Sequence, residues 1–221
     1  SAGTGGFSNL NLSIGGYNNV AAEVITTVFM LLFGVNFNMY YYMLSRQSGL
    51  VKDNEEFKLY FIIAIMSMLL IAGNIMPLYG DSFITSLRYS SFQVSSIMTT
   101  TGYSTVDFHL WPMFSKIILL TLMVIGASAG STGGGIKVAR LLIIFKAARR
   151  EIGMIIHPRR VQTVKIENST LDNSILVNVL VFVAMYTVIA FIAIIIISVD
   201  GYDFETTATA VIAALGNIGP G

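Results

Sequence analysis

Four apolar stretches, residues 20–44, 59–78, 113–148 and 175–198, are each long enough to cross a lipid bilayer. A backbone crossing hydrocarbon must satisfy its own hydrogen bonds, which leaves only helices and the strands of closed barrels. None of the four runs alternates apolar and polar residues with a period of two, so all four are expected to be helices. Composition agrees: 54% of the residues are hydrophobic and 11% charged, which excludes an ordinary soluble domain. The chain has no cysteine, which removes disulfides, thiolate catalysis and cysteine-based metal sites, and its net charge of +1 gives no reason to expect a nucleic-acid partner. His109 and His157 lie far apart without metal-ligand spacing and read as interfacial residues.

A repeat is superimposed on these spans. Gly6, Gly102 and Gly216, 96 and 114 residues apart, each close a segment of small and hydroxyl residues (SAGTGGFS, TTTGYST, AALGNIGPG), and two apolar stretches separate each glycine from the next. Orientation follows from the bases. Arg46, Lys52 and Lys58, then Lys146, Arg149, Arg150, Arg159, Arg160 and Lys165, put residues 45–58 and the stretch after the third span in the cytoplasm. All three glycine segments then share the outer face. Asp81, Asp107, Asp200, Asp203 and Glu205 on that face either concentrate cations or are plain solvated loop residues, and Glu23 is placed at the outer end of its span.

The middle unit carries the clearest chemistry. Residues 85–98 are too short to cross and suit a re-entrant helix, whose C-terminal carbonyls would point towards the bilayer centre. Thr99, Thr100, Thr101, Gly102 and Tyr103 would continue in extended form, with carbonyls that can replace the hydration oxygens of a monovalent cation. A lone glycine more often turns a loop or lets helices pack; three equivalent glycines favour a pore lining.

The third span is broken by GASAGSTGGG: Gly126, Ala127, Ser128, Ala129, Gly130, Ser131, Thr132, Gly133, Gly134 and Gly135. Irregular backbone at membrane depth is tolerated only against protein or a watery cavity, which places this loop beside the ion path below the filter; a packing kink is the competing reading. The segment from Gly130 to Lys137 imitates a phosphate-binding GxxxxGK[ST] pattern, but Ile136 displaces the lysine, Val138 replaces the hydroxyl residue and no strand precedes it. Lys137 and Arg140 are expected to snorkel towards the cytoplasm.

TTTGYST, AGSTGGGIK and LGNIGPG, in this order and spacing, resemble the potassium-transporter family of Trk, Ktr and HKT proteins, most nearly its bacterial TrkH-type membrane subunits. The resemblance covers the whole chain. It implies an all-α polytopic membrane protein built from repeated helix, pore-loop and helix units of the potassium-channel-like type, with re-entrant pore helices and one broken inner helix. The chain then reads as a fragment: residues 1–46 end the second repeat, 47–150 form the third, and 151–221 hold a cytoplasmic linker and the start of the fourth. Gly6, Gly102 and Gly216 match the family's filter glycines, and Thr4, Gly5, Phe7, Thr100, Thr101, Tyr103, Ala214, Leu215 and Asn217 take the adjoining filter positions.

By the same resemblance the Gly126 to Gly135 loop is an intramembrane gate, potassium is the transported substrate, and no cofactor or enzymatic activity is implied. The implied setting is the bacterial inner membrane, as a homodimer regulated by a cytoplasmic nucleotide-binding subunit. The basic stretch from Lys146 to Lys165, interrupted at Pro158, is explained by positive-inside anchoring, and a docking surface for that subunit is the sharper alternative. A carrier with broken helices that alternates access to a cation or small solute is the competing function. Many such carriers use inverted repeats, whereas every repeat here runs in one direction.

Overall fold

The computed structural model describes residues 3–10, 13–156, 163–166 and 169–219. His157, Pro158, Arg159 and Arg160 lie outside the described residues. In chain order the helices are α1 (Val20–Phe33), α2 (Phe37–Leu44), α3 (Ser48–Asp53), α4 (Glu55–Ile75), α5 (Phe83–Met98), α6 (Met113–Ile125), α7 (Val138–Ile156), α8 (Asn173–Ile197) and α9 (Phe204–Gly216). The all-helical expectation needs one small amendment. Between α7 and α8, β1 (Lys165–Ile166) pairs antiparallel with β2 (Ser169–Thr170), with Lys165 opposite Thr170.

Local sequence explains where the main helices begin. Asn19, Asn54, Ser82, Asp172 and Asp203 stand at the N-caps of α1, α4, α5, α8 and α9, each with a side-chain oxygen accepting a first-turn amide. Among the described residues two helical segments are long and apolar enough to cross a membrane, Glu55–Tyr79 and Asn173–Asp200. These correspond to the stretches expected at 59–78 and 175–198.

The other two stretches depart from the expectation of simple spans. Residues 20–44 are bent by 91° between α1 and α2. Gly34 allows the bend because its bare Cα is pressed between the Tyr60 hydroxyl and the Thr99 methyl, and the Asn36 side chain accepts the Asn38 amide to start α2. Residues 113–148 are divided by a non-helical segment, 126–137, between α6 and α7.

Burial runs opposite to that of a soluble protein. The serine-rich α5 is the packing centre, and Ser86, Ser90, Phe92 and Gln93 to Met98 along it are buried against α1, α4 and α6. α8 is the most apolar helix, yet only Leu176 and Val179 on it are buried. An apolar helix exposed over most of its surface calls for apolar surroundings, lipid or further protein. Inside, several hydroxyls of α5 and its cap donate to the helix's own carbonyls: Ser91 to Arg88 O at 2.9 Å, Ser95 to Ser91 O at 2.6 Å and Thr99 to Ser95 O at 2.7 Å. Val35, Met39, Tyr60, Ile97, Met123, Ala127 and Ala213 belong to one core cluster, so the core reaches the bend, the 126–137 segment and α9.

A methyl group at Gly34 would stand 2.3 Å from the Tyr60 hydroxyl oxygen and 2.7 Å from Thr99 Cγ2. Tyr60 is fully buried and donates to Leu31 O at 3.0 Å, so it has no free direction of retreat. Gly34→Ala in the full-length protein should destabilise it by about 1–3 kcal/mol, read as a lower thermal unfolding midpoint in detergent. An unchanged midpoint would show that the bend does not depend on this contact.

Candidate functional site

Three short backbone segments share one conformation. Thr4 and Gly6 have positive φ of 45° and 63°, Thr100 and Gly102 of 54° and 82°, and Asn217 and Gly219 of 53° and 106°. In each case a residue in the left-handed region is followed two positions later by a glycine of positive φ. The second and third segments each follow a short helix, α5 and α9.

This equivalence corrects the sequence register of the last segment by three residues. Gly216 is the final residue of α9, whereas Gly219 has the backbone conformation of Gly6 and Gly102. Ala214 and Leu215 likewise lie within α9, and Asn217 corresponds to Thr100 rather than to Tyr103. The small-residue pattern misled because AALG ends in a glycine, but a helix C-terminal residue needs no positive φ. Asn217, one of the few non-glycine types at ease in the left-handed region, was the signal available.

The segments also touch. A Cβ on Gly6 would lie 2.6 Å from Thr101 O and 3.1 Å from the backbone of Gly102, so the first two segments run side by side at backbone contact. Beyond them, the Gly15 amide donates to Ser104 O at 3.1 Å, and the Ser104 amide donates to the Ser13 hydroxyl at 3.3 Å. Phe7 is exposed, while Gly5, within 3.0 Å of its ring when given a Cβ, packs locally.

Amides and carbonyls are treated differently in the middle segment. The Thr101 and Gly102 amides both donate to Ser96 O, at 2.8 and 3.4 Å, and the Ser96 hydroxyl donates to Tyr103 O at 2.5 Å. Thr100 and Thr101 are buried, yet among the described residues no donor reaches the carbonyl oxygens of Thr100, Thr101 and Gly102. Buried carbonyls without donors are costly unless they meet water or a cation.

The loop from Gly126 to Gly135 lies against all three segments. Thr4 Oγ1 donates to Thr132 O at 3.3 Å, and the Gly134 amide donates to Thr100 Oγ1 at 2.8 Å. Added methyls at Gly133 and Gly134 would stand 3.0 Å from Thr99 O and 2.1 Å from Gly216 O. Thr99 and Gly216 are equivalent positions, each immediately before the first left-handed residue. Only residues without side chains reach them this closely. The loop closes on itself, since a Cβ on Gly135 would lie 2.8 Å from Gly126 Cα and the Ile136 amide donates to Val124 O at 2.9 Å.

Two charged residues also hold the loop, and neither was singled out as a loop ligand from sequence. Glu56, buried at the start of α4, accepts the Ala129 amide at 2.5 Å. Lys137 does not snorkel as expected: with φ of 76° it turns back, and Nζ donates to Ser128 O and Ser131 O at 3.3 Å and Gly133 O at 2.5 Å. Three carbonyls in a non-helical segment offer the ammonium more than a path to the interface does. Arg140 instead donates to Ile136 O at 3.0 Å and lies over the Phe182 ring.

Much of the acidic charge expected on the outer face has structural work. Glu23 is buried and paired with Arg88 at 3.2 Å, and Glu205 pairs with Lys116 at 2.7 Å. Asp203 caps α9, and the Thr206 hydroxyl followed by its amide hold the carboxyl below the usual aspartate range. Asp107 accepts the His109 amide at 3.0 Å.

Comparison with known proteins comes to the same kind of molecule. The family described as TrkH, cation transport protein, matches residues 1–221. The Trk system potassium uptake protein TrkH of Salmonella typhimurium is 34% identical over 223 residues, covering 98% of this chain and 45% of that protein. The potassium uptake protein TrkG of Escherichia coli is 32% identical over 219 residues, with the same coverage of 98% and 45%. The crystal structure of the potassium transporter TrkH from Vibrio parahaemolyticus superposes with a TM-score of 0.90 at 32% identity, over 100% of this chain and 48% of that one. The chain thus spans about half the length of these relatives.

The corrected register has a direct consequence for stability. Gly219→Ala should destabilise the full-length protein by about 1–2 kcal/mol, since an L-residue resists this backbone region. Gly216→Ala, in a helical position where the nearest foreign atom is the flexible tip of Ile218 at 3.1 Å, should be close to neutral. Thermal unfolding of the two variants side by side checks this, and the reverse order would restore Gly216 to the equivalent position.

Proposed function

We propose, since this chain belongs to the TrkH family of cation transport proteins, that it supplies much of the pore of a potassium uptake protein of the bacterial inner membrane. Potassium is the substrate and no resident cofactor takes part. Carbonyl oxygens of the three glycine segments replace the ion's hydration shell, and the loop from Gly126 to Gly135 acts as the gate beneath them. One observation carries the reading: among the described residues the buried Thr100 and Thr101 carbonyls lack donors, whereas the neighbouring amides are engaged with the end of α5.

The selective residues are Thr4, Gly5, Gly6 and Phe7, Thr100, Thr101, Gly102 and Tyr103, and, in the corrected register, Asn217, Ile218 and Gly219. α5 and α9 are the re-entrant helices that aim their carbonyl ends at the ion. Residues 1–46, 47–150 and 151–221 divide the chain into its successive repeats, with α6 and α7 as the two halves of one broken inner helix. The rest of the pore comes from parts of the protein outside this chain. A second copy and a cytoplasmic regulatory subunit, the partners implied by resemblance, complete the assembly.

The gate acts sterically. The loop meets Thr4, Thr99, Thr100 and Gly216 together, so an ion leaving the segments on that side encounters it first. A channel-like path needs one such obstruction beneath the site, whereas alternating access needs a second barrier on its other side.

Two measurements test these roles in the full-length protein reconstituted into vesicles. Gly102→Ser should lower the ratio of potassium to sodium uptake severalfold, because a φ of 82° is strained for any L-residue and a side chain there would disturb the carbonyl spacing; an unchanged ratio would remove Gly102 from the filter. Deleting residues 127–134 joins Gly126 to Gly135, which already touch, so the flanking helices need not move. Uptake should then rise with ion preference retained, and equal or slower uptake by a folded, inserted variant would leave the loop a packing kink.

A further inference from the structure

Glu55 and Glu56 open α4 with two adjacent carboxylates, about 100° apart around the helix. They face different partners. Glu55 forms an ion pair with Lys146 on α7, and Lys146 Nζ also donates to Lys165 O of β1 at 2.7 Å. Glu56 accepts the Ala129 amide of the loop at 2.5 Å. The hairpin between α7 and α8 is therefore joined to the loop through one helix turn: β1, Lys146, Glu55, Glu56, Ala129.

We propose that the first turn of α4 is a relay, in which Glu56 is a positioning residue that latches the loop and Glu55 couples that latch to the hairpin through Lys146. The role of the loop as a gate is taken from the proposed function; the coupling itself is a separate claim. Its chemistry is specific. Glu56 is buried, and a charge-assisted bond to a backbone amide depends on where the carboxylate sits to within a few tenths of an ångström. Rotating or tilting the first turn of α4 moves both carboxylates together, because one turn of helix is rigid. A pull on Lys146 from the hairpin thus weakens the hydrogen bond to Ala129 on the other side of the same turn. Glu56 also bonds the Asn36 side chain and the Ala139 backbone and attracts the Lys137 ammonium. Lys137 keeps its own three bonds to loop carbonyls, so loss of the Glu56 contact loosens the loop without unfolding it.

The test is the reactivity of Thr132→Cys, an exposed loop position, towards a membrane-impermeant thiol reagent applied from the cytoplasmic side of the full-length protein in vesicles, with other cysteines replaced. Glu56→Gln, which keeps the side-chain shape, should raise the labelling rate about three- to tenfold. Glu55→Gln and Lys146→Met should each raise it by a smaller factor. Lys146→Met should add little once Glu56→Gln is present, because the relay has already been cut. Multiplicative effects in the double variant, or wild-type labelling in Lys146→Met, would overturn the relay, as would unchanged labelling in Glu56→Gln. The gate is judged separately by the 127–134 deletion. Raised flux there with independent labelling effects keeps the gate and removes the relay; coupled labelling with unraised flux keeps the relay and removes the gate.

Discussion

Backbone that leaves the helical form inside a protein must find hydrogen-bond partners there, and the segment from Gly126 to Lys137 is organised around that demand. Its donors go outward: Ser128 N to Gly34 O, Ala129 N to Glu56 and Gly134 N to Thr100 Oγ1. Its acceptors receive Phe37 N on Gly130 O, Thr4 Oγ1 on Thr132 O, and the Lys137 ammonium on three more carbonyls. The partners come from the α1–α2 bend, the start of α4, the end of α5 and the segment before α7. Each of those features is therefore tied to the loop as well as to its neighbours. The bend at Gly34 makes sense in these terms, since it is where a carbonyl and an amide become free to meet the loop.

The same demand explains why polar residues collect at the centre. In water, a serine-rich helix belongs on the surface and an isoleucine-rich one inside; here α5 is buried and α8 exposed. Most of the hydroxyls on α5 donate to its own carbonyls or to those of its neighbours, and Ser96 ties the following segment back to the helix end through Tyr103 O. Together with the Thr101 and Gly102 amides on Ser96 O, this sets the direction in which the residues after Thr99 run.

Much of this was legible in the sequence because hydropathy and small-residue clusters are local signals. The stretches at 59–78 and 175–198 are helices within a few residues, and 85–98 corresponds to α5. The bend at residues 34–36 was not seen, since one glycine in an apolar run reads as a tolerated helix residue unless its packing against Tyr60 and Thr99 is known. The last segment was placed three residues early because a search for glycine after small residues cannot see φ; the recurrence of a left-handed residue two positions before the glycine could be seen only in the backbone. Lys137 was assigned to the interface from its charge alone. Its actual partners are carbonyls exposed by the loss of helix, a need that arises only from the fold. Glu56 was passed over for the same reason, sitting at the edge of a span where carboxylates are ordinarily solvated.

The threonines at 4 and 100 bring these threads together. A β-branched residue in the left-handed region carries strain on the order of 1–3 kcal/mol, and it persists only where surrounding contacts over-determine it. Thr4 and Thr100 are both buried, and the hydroxyl of each is bonded to the loop, one as donor to Thr132 O and the other as acceptor from Gly134 N. Asn217, the equivalent in the third segment, is better suited to that conformation and has no such bond among the described residues. The hydrogen bonds that seat the loop are thus the ones that hold the strained positions, and they use side chains, leaving the backbone carbonyls of Thr100 to Gly102 uncommitted. A glycine at 4 or 100 would remove the strain and also that segment's hydroxyl bond to the loop. At a conformational cost, the threonines connect the loop to the carbonyl-bearing segments without consuming a carbonyl of Thr100 to Gly102.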